Sequence, residues 1–360
     1  MRVVNIVDSA EMVNYGVWHA AVSNAEELNK RGIRIELWYP SADPIKSIDP
    51  TVTQVSLPFT SRSTLQKLIV ERDLDPQEDI IVTHGCWQYP TRWGYFLARR
   101  GFKWVYVPHG MLEPWSMQQK KWKKSLFFYL FERRMASRAK VVRAVSQREK
   151  INLSKFFPAK ETRFMPNCIK VIGVDKSFPS EPRRYLFLSR LHAKKNLLAL
   201  ARAWVSSTLN NNGNYQLFFA GPDQGELPGL QQYLQQSNNI IYTGSVYGQQ
   251  KEELIKSSTF YVLPSFSEGL PSSLLEAMSA GLVPLITEGC NLPEVFTMEL
   301  GVRLSTNWES IKNVLEDTAA WKKQDILHKS ARCKTYIDTH FTLDSVTEEQ
   351  VILFRRLLND

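Results

Sequence analysis

The stretch Thr259–Thr287, TFYVLPSFSEGLPSSLLEAMSAGLVPLIT, decides the fold. Its opening, TFYVLPS, is a short apolar run stopped by Pro264 and Ser265, and it reads as a buried strand. From Pro271 to Ala280 the apolar spacing turns helical, with proline near the first helical position, where its missing N–H costs nothing. VPLIT, Val283–Thr287, reads as the next buried strand. The turn Glu268-Gly269-Leu270-Pro271 therefore opens a helix at the end of a strand. In α/β proteins ligands bind there, because free backbone N–H groups and the positive end of the helix dipole favour a phosphate. Glu268 and Glu276, eight positions apart, bracket that helix start with two carboxylates.

Outward from this unit the chain alternates strands and helices in two series. The first runs VVNIV (Val3–Val7), a polar loop to Gly16, a helical pattern from Val17 to Lys30, and then IRIELWY. IIVTH (Ile80–His84), WVYVPH (Trp104–His109) and VVRAVS (Val141–Ser146) follow as parallel strands with polar ends. A second series comprises YLFLSRL (Tyr185–Leu191), a helix from Leu197 to Ser207, YQLFFAG, IIYTG, TFYVLPS and VPLIT. Between the two series lies IKVIGVDKSFPSEPRR, rich in proline and charge. The expected class is α/β, with two doubly wound domains facing a cleft: residues 1–176, residues 177–338, and a C-terminal helix over 339–360 that returns to the first domain.

With 360 residues the chain is long enough for two cores, and 43% hydrophobic with 22% charged is ordinary globular composition. No signal peptide or membrane-spanning run is visible, and Cys86, Cys168, Cys290 and Cys333 lie far apart without a C-x-x-C pair. A cytoplasmic location is expected, with neither a disulfide framework nor a zinc site. The net charge of +9 is concentrated in residues 120–150, where eleven Lys or Arg face only Glu132 and Glu149. Within that block KKWKKSLFFYLFERR sets Trp122, Leu126, Phe127, Leu130 and Phe131 among cations. Two readings stand: an amphipathic helix on the inner face of an anionic membrane, or a core-packed helix whose charged side is merely solvated. No nucleic-acid-binding motif accompanies the charge.

The string around Glu268 and Glu276 resembles the E-x7-E signature of retaining glycosyltransferases of the GT-B fold, group 1 or family 4, which use nucleotide-sugar donors. The resemblance implies that Glu276 accepts hydrogen bonds from the donor ribose. It also implies that Glu268, with the amides of Gly269 and Leu270 and the helix start at Pro271, holds the sugar and its diphosphate. In LSRLHAKKNL, Arg190 and Lys195 match the family's diphosphate-gripping cations, with Ser189 and Asn196 in place of its two glycines. Two fixed cations there can neutralise a diphosphate as charge builds on the leaving group. The segment at Ser245 and Val246 resembles the one whose backbone recognises the nucleotide base. Gly16 would let a phosphate or sugar approach the first helix start.

PHGMLEPW, followed by W-K-K, resembles a subgroup that builds bacterial surface polysaccharides such as capsule, exopolysaccharide and lipopolysaccharide. By that resemblance His109 contacts the donor sugar and acts in catalysis through hydrogen bonding or charge, with Glu268 beside the same sugar. His84 and Trp87, at the end of an earlier strand, are candidates for the acceptor saccharide, and for Trp87 core packing is the alternative. Asn167 is a further candidate, in MPNCI, where Cys168 replaces the usual glycine. The implied reaction is hexosyl transfer with retention from a UDP-sugar to a saccharide acceptor, either an oligosaccharide linked to polyprenyl diphosphate or a lipopolysaccharide core. No metal or other cofactor is expected. A sugar-nucleotide 2-epimerase of the same fold, and a non-catalytic membrane-binding protein on a decayed transferase scaffold, are the alternatives.

Overall fold

The computed structural model describes residues 1–11, 14–41, 45, 48–173 and 181–360. They form two compact units, Met1–Cys168 with Leu343–Asp360, and Ile169–Thr342. The sequence reading put its boundaries at 176 and 338, and position 176 lies outside the described residues.

In the first unit the described residues form a 7-stranded sheet. Its strands are β1 (Arg2–Val7), β2 (Arg34–Tyr39), β3 (Thr53–Ser56), β4 (Asp79–His84), β5 (Lys103–Val107), β6 (Val141–Ala144) and β7 (Glu161–Phe164). They run in the order β3-β2-β1-β4-β5-β6-β7, and every pair is parallel. Central strands β1 and β4 are buried along their whole length, which is why their sequences are continuous apolar runs rather than alternating ones. The order reverses direction between β1 and β4. Such a switch point leaves a crevice at the carboxyl ends of the two strands.

The described residues of the second unit form a 6-stranded sheet of β8 (Arg183–Leu188), β9 (Tyr215–Ala220), β10 (Ile240–Gly244), β11 (Phe260–Leu263), β12 (Val283–Ile286) and β13 (Val302–Arg303). The order β10-β9-β8-β11-β12-β13 is again parallel throughout and reverses between β8 and β11. Tyr185 on β8 stacks on Phe260 of β11 at 4.7 Å between ring centroids, joining the two switch-point strands in the core. The expected α/β class of two Rossmann-like domains is what the chain forms.

The sequence reading missed three strands, all at the margins of their sheets. β3 (TQVS) and β7 (ETRF) are edge strands with partly or fully exposed residues, and β13 is only two residues long. None carries the apolar run that betrays a central strand. The helix expected from Val17 to Lys30 is broken into Tyr15–Val22 and Ala25–Lys30. At the break the buried Asn24 side chain donates to Thr347 Oγ1 at 2.9 Å and Gln350 Oε1 at 3.1 Å. Both acceptors lie on the C-terminal helix, Leu343–Asn359, which packs on the first unit as expected. Among the described residues no helix is long and apolar enough to cross a membrane.

The basic segment is helical from Lys121 to Ala136, with a π-helical stretch at Phe128–Glu132. The wider turn sends Phe128 and Glu132 into the core. Trp122, Leu126, Phe127, Tyr129, Leu130 and Phe131 remain exposed, Trp122 at 88%. The helix is thus packed into the core on one side through Phe128 and carries an exposed apolar face on the other. Phe128 packs on Phe156 and Phe157, and Glu132 adds a polar attachment, accepting from Thr91 Oγ1 at 2.7 Å, Tyr106 Oη at 2.8 Å and the Trp87 N–H at 3.2 Å.

Candidate functional site

Two constellations form, one at the switch point of each unit. In Ile169–Thr342 the loop after β8 carries Arg190, and a 3₁₀ turn at Ala193–Lys195 follows it. Asn196 closes that turn at φ 56, the left-handed region that glycine occupies freely and asparagine tolerates better than most residues. The expected glycine is therefore replaced without loss of backbone course, and the helix Leu197–Val205 begins directly after it. Close backbone approach at Ser189 depends instead on Gly221, where a Cβ would collide with the Ser189 carbonyl.

Lys195 is buried, and its Nζ lies 2.6 Å from Glu268 Oε1. Glu268 sits in the loop after β11. Its N–H donates to Gly289 O at 2.7 Å, and its carbonyl accepts from Asn291 Nδ2 at 2.6 Å. Asn291 also donates to Gly269 O at 3.0 Å, so one amide side chain clamps both residues of the turn. At Gly289 a Cβ would stand 2.7 Å from Ser265 O and 2.6 Å from Phe266 O, which makes glycine obligatory for this approach. The Phe266 N–H donates to Lys194 O at 2.9 Å and ties the loop carrying Lys195 to the loop carrying Glu268.

Burial alone would raise the Glu268 carboxyl, but Lys195 and Lys194 outweigh it and hold the group below its ordinary value. Burial acts the other way on Arg190, lowering its pKa, with the Glu268 charge opposing. The three groups form a charged cluster in a largely water-excluded place.

Pro271 precedes the helix rather than occupying its first position, which falls at Ser272; the helix runs to Ser279. Leu270 is buried, and Ser273 Oγ lies 2.8 Å from Tyr261 Oη of β11. Glu276 projects from this helix, and its Oε1 is 2.9 Å from Lys251 Nζ. Lys251 belongs to the helix Gly248–Lys256, which follows the Ser245–Val246 loop. The ribose candidate Glu276 is thus tied to the helix that follows the Ser245–Val246 loop by a lysine that sequence reasoning did not single out.

In the first unit three adjacent strands contribute a chain of polar side chains. Asn5 lies on β1, His84 ends β4, and His109 follows β5. Asn5 Oδ1 is 3.0 Å from His84 Nε2, and His84 Nδ1 is 2.9 Å from His109 Nε2. His84 is 1% exposed with both ring nitrogens engaged, whereas His109 is partly exposed. His109 takes φ 53, and Gly110 after it φ 74. The turn is pinned by Glu149, whose Oε1 accepts the Gly110 N–H at 2.6 Å while Oε2 accepts that of Val145 at 2.7 Å. Burial pushes the Glu149 carboxyl up to about 7. Burial and the Arg143 charge lower His109 to about 3 and hold His84 well below the usual imidazole range, with His109 adding to the effect on His84.

Arg143 is itself buried and donates to Met165 O at 2.9 Å and Pro166 O at 2.7 Å, with Asn167 Oδ1 at 3.4 Å. Asn167 therefore faces Arg143. Trp87 is half-buried at φ 77, its ring packed near Phe127 and Phe128, with Lys124 Nζ 5.8 Å from its centroid. Gly16 is exposed near the start of the helix Tyr15–Val22, with open space where a Cβ would stand.

The sequence reading overlooked Asn5, Arg143, Glu149, Lys251, Gly289 and Asn291. Asn5 had a signal: an amide in the middle of the apolar run VVNIV must find a buried partner. Glu149, three residues after Ser146, completes a helix-capping spacing, and the Ser146 side chain does accept its N–H at 3.1 Å. Lys251 carried none, since its partner lies 25 residues away.

Two family models divide the chain between them. The Glycosyl transferase 4-like domain matches residues 15–168, and Glycosyl transferases group 1 matches residues 172–336. The chain belongs to the group 1, family 4 glycosyltransferases of the GT-B fold. Among relatives, the O-antigen biosynthesis glycosyltransferase WbnH of Escherichia coli is 27% identical over 203 residues, 52% of this chain and 53% of its own. The chain spans about half the length, or less, of the curated relatives it matches. Among solved structures, Anabaena HepE in complex with UDP and glucose superposes with a TM-score of 0.75 at 14% identity, covering 98% of this chain and 99% of that one. WaaG, a glycosyltransferase involved in lipopolysaccharide biosynthesis, gives 0.72 at 15% identity over 97% and 98%.

Proposed function

We propose that this protein is a retaining glycosyltransferase that moves a hexosyl group from a UDP-sugar to a lipid-linked saccharide during assembly of a bacterial surface polysaccharide. The observation that carries the reading is the buried Lys195–Glu268 pair beside Arg190 at the switch point of the second unit. A carboxylate there cannot bind a diphosphate; two cations can. Glu268 instead holds Lys195 in position and offers its remaining oxygen to sugar hydroxyls. UDP as the nucleotude is supported by HepE, solved with UDP and with UDP-glucose. A polysaccharide product is supported by the O-antigen relatives.

In the proposed reaction the bond between the anomeric carbon and the UDP phosphate oxygen breaks while the acceptor hydroxyl adds to the same face. The departing phosphate oxygen takes the hydroxyl proton, so no side-chain nucleophile is used. Arg190 and Lys195 stabilise the charge gathering on the diphosphate, the part a metal plays elsewhere. Glu276 accepts from the ribose hydroxyls. His109, held neutral, serves the donor sugar by hydrogen bonding rather than by charge. The exposed Trp122–Phe131 face and its cations would lie on the anionic inner leaflet, where a polyprenyl-linked acceptor is presented.

A transfer assay tests this. The protein is incubated with UDP-hexoses and lipid-linked saccharide extracted from a host lacking it, with EDTA present, and the product linkage is read by NMR. A product whose anomeric configuration equals the donor's supports the reading. Inversion, an EDTA-dependent reaction, or epimerised UDP-sugar without acceptor overturns it.

A further inference from the structure

The Asn5–His84–His109 chain carries a consequence for proton placement. Asn5 Oδ1 can only accept, so the hydrogen at 3.0 Å belongs to His84 Nε2. A neutral His84 then has a lone pair on Nδ1, and the contact at 2.9 Å requires the hydrogen on His109 Nε2. His109 is left with Nδ1 as its acceptor. Each link is short, and the first two residues are almost fully enclosed, with Asn5 at 4% and His84 at 1% exposed. The charged group that faces the pair is Arg143, whose hydrogen bonds to Met165 O and Pro166 O turn its donors toward the backbone.

We infer that His84 is a positioning residue: with Asn5 it fixes the proton of His109 on Nε2, so that Nδ1 presents a lone pair to a hydroxyl of the donor sugar. His84 acts through His109 and does not touch the acceptor. This inference rests on the proposed role of His109, and the two can fail separately.

A left-handed turn at His109–Gly110, pinned by Glu149, fixes the backbone of the ring. Backbone placement alone leaves an imidazole free to exchange tautomers, since in water the Nε2–H form is only modestly preferred and both are populated. His84 supplies the selection. A pair with both rings neutral also stays dry and uncharged, consistent with the low pKa values of both.

The test labels the histidine rings with nitrogen-15 and reads their tautomers by two-bond correlation NMR at pH 7.5, with His109 assigned by its loss in His109→Gln. Wild-type His109 should show a protonated Nε2 and a bare Nδ1. His84→Asn, whose amide oxygen stands where Nδ1 stood, should keep that pattern. His84→Phe, which keeps the ring but removes the acceptor, should give a mixture of tautomers or the Nδ1–H form. A protonated Nδ1 in the wild type, or an unchanged spectrum in His84→Phe, would overturn the inference. Should His84→Phe not fold, wild type and His84→Asn still decide, since Nδ1–H in either contradicts the assignment. The transferase reading fails by a different result, the absence of nucleotide binding, which leaves the tautomers as measured.

Discussion

Lys195 Nζ and Glu268 Oε1 meet at 2.6 Å with both side chains 9% exposed, and the loops that carry them are joined by a backbone hydrogen bond from Phe266 to Lys194. Two elements more than seventy residues apart in sequence are thereby fixed as one charged surface. Removing one member of such a pair leaves an uncompensated buried charge, which costs about 3–5 kcal/mol. Lys195→Met should therefore lower stability by that order, and Lys195→Met/Glu268→Gln by less than the single variant. Urea unfolding of the three proteins checks this; equal losses in single and double variants would show that the pair is not coupled.

The same pair sets a pH dependence. The folded Glu268 carboxyl lies below its ordinary value, so the unfolded chain binds the proton more readily. Its contribution to stability is full above the unfolded carboxyl range, about 4.3, and is lost as pH falls through the lower folded value. Comparing wild type with Glu268→Gln between pH 7 and pH 3, the difference in unfolding free energy should shrink toward acid. A difference that grows toward acid would mean the group is raised rather than lowered.

Glu276 is held by Lys251 at 2.9 Å and projects from the middle of the Ser272–Ser279 helix. Hydrogen bonds to a charged carboxylate contribute about 1.5–3 kcal/mol each, so Glu276→Ala should weaken UDP binding on the order of tenfold to a hundredfold. His109→Ala should leave UDP affinity within about twofold while lowering turnover on the order of a hundredfold. Calorimetry with UDP and steady-state kinetics separate the two. Equal losses of affinity in both variants would sink this division of roles.

Because His109 is lowered to about 3, its neutral form persists across the physiological range. No limb of the turnover profile near pH 6.5 should belong to it, and the His109→Gln profile should have the wild-type shape at reduced height between pH 5.5 and 8.5. A wild-type inflection near 6.5 that disappears in His109→Gln would contradict the neutral assignment.

Trp122, Leu126 and Phe131 are exposed beside Lys121, Lys123 and Arg134. Each cation near an anionic leaflet adds about 1 kcal/mol, so Lys121→Glu/Lys123→Glu should reduce binding to phosphatidylglycerol-containing vesicles by at least roughly tenfold. Phosphatidylcholine vesicles should bind neither protein. Vesicle sedimentation at low and high salt measures it, and equal binding to neutral and anionic vesicles would remove charge from the account.

Much of the fold was legible because central parallel strands are apolar throughout. β1, β4 and β11 announced themselves, whereas β3, β7 and the two-residue β13 carry no such run. The second-unit candidates were legible because Arg190, Lys195, Glu268 and Glu276 fall in short local strings at strand ends. Lys251 and Asn291 were not, since a salt bridge across 25 residues and a side chain clamping Glu268 and Gly269 arise only when loops meet. His84 was legible as a strand-end residue; its enclosure between Asn5 and His109 depends on the sheet order placing β4 next to β1, which the sequence does not state.

Titration of UDP, GDP and ADP into the purified protein, read by calorimetry with the thermal unfolding midpoint as a second signal, tests the central claim most directly. A ligand bound only by the folded state raises its apparent stability in proportion to its saturation. UDP should bind saturably at one site and raise the midpoint, and both effects should be lost in Glu276→Ala. No heat and no shift with any of the three at millimolar concentration would contradict a nucleotide-sugar site at Arg190, Lys195 and Glu276.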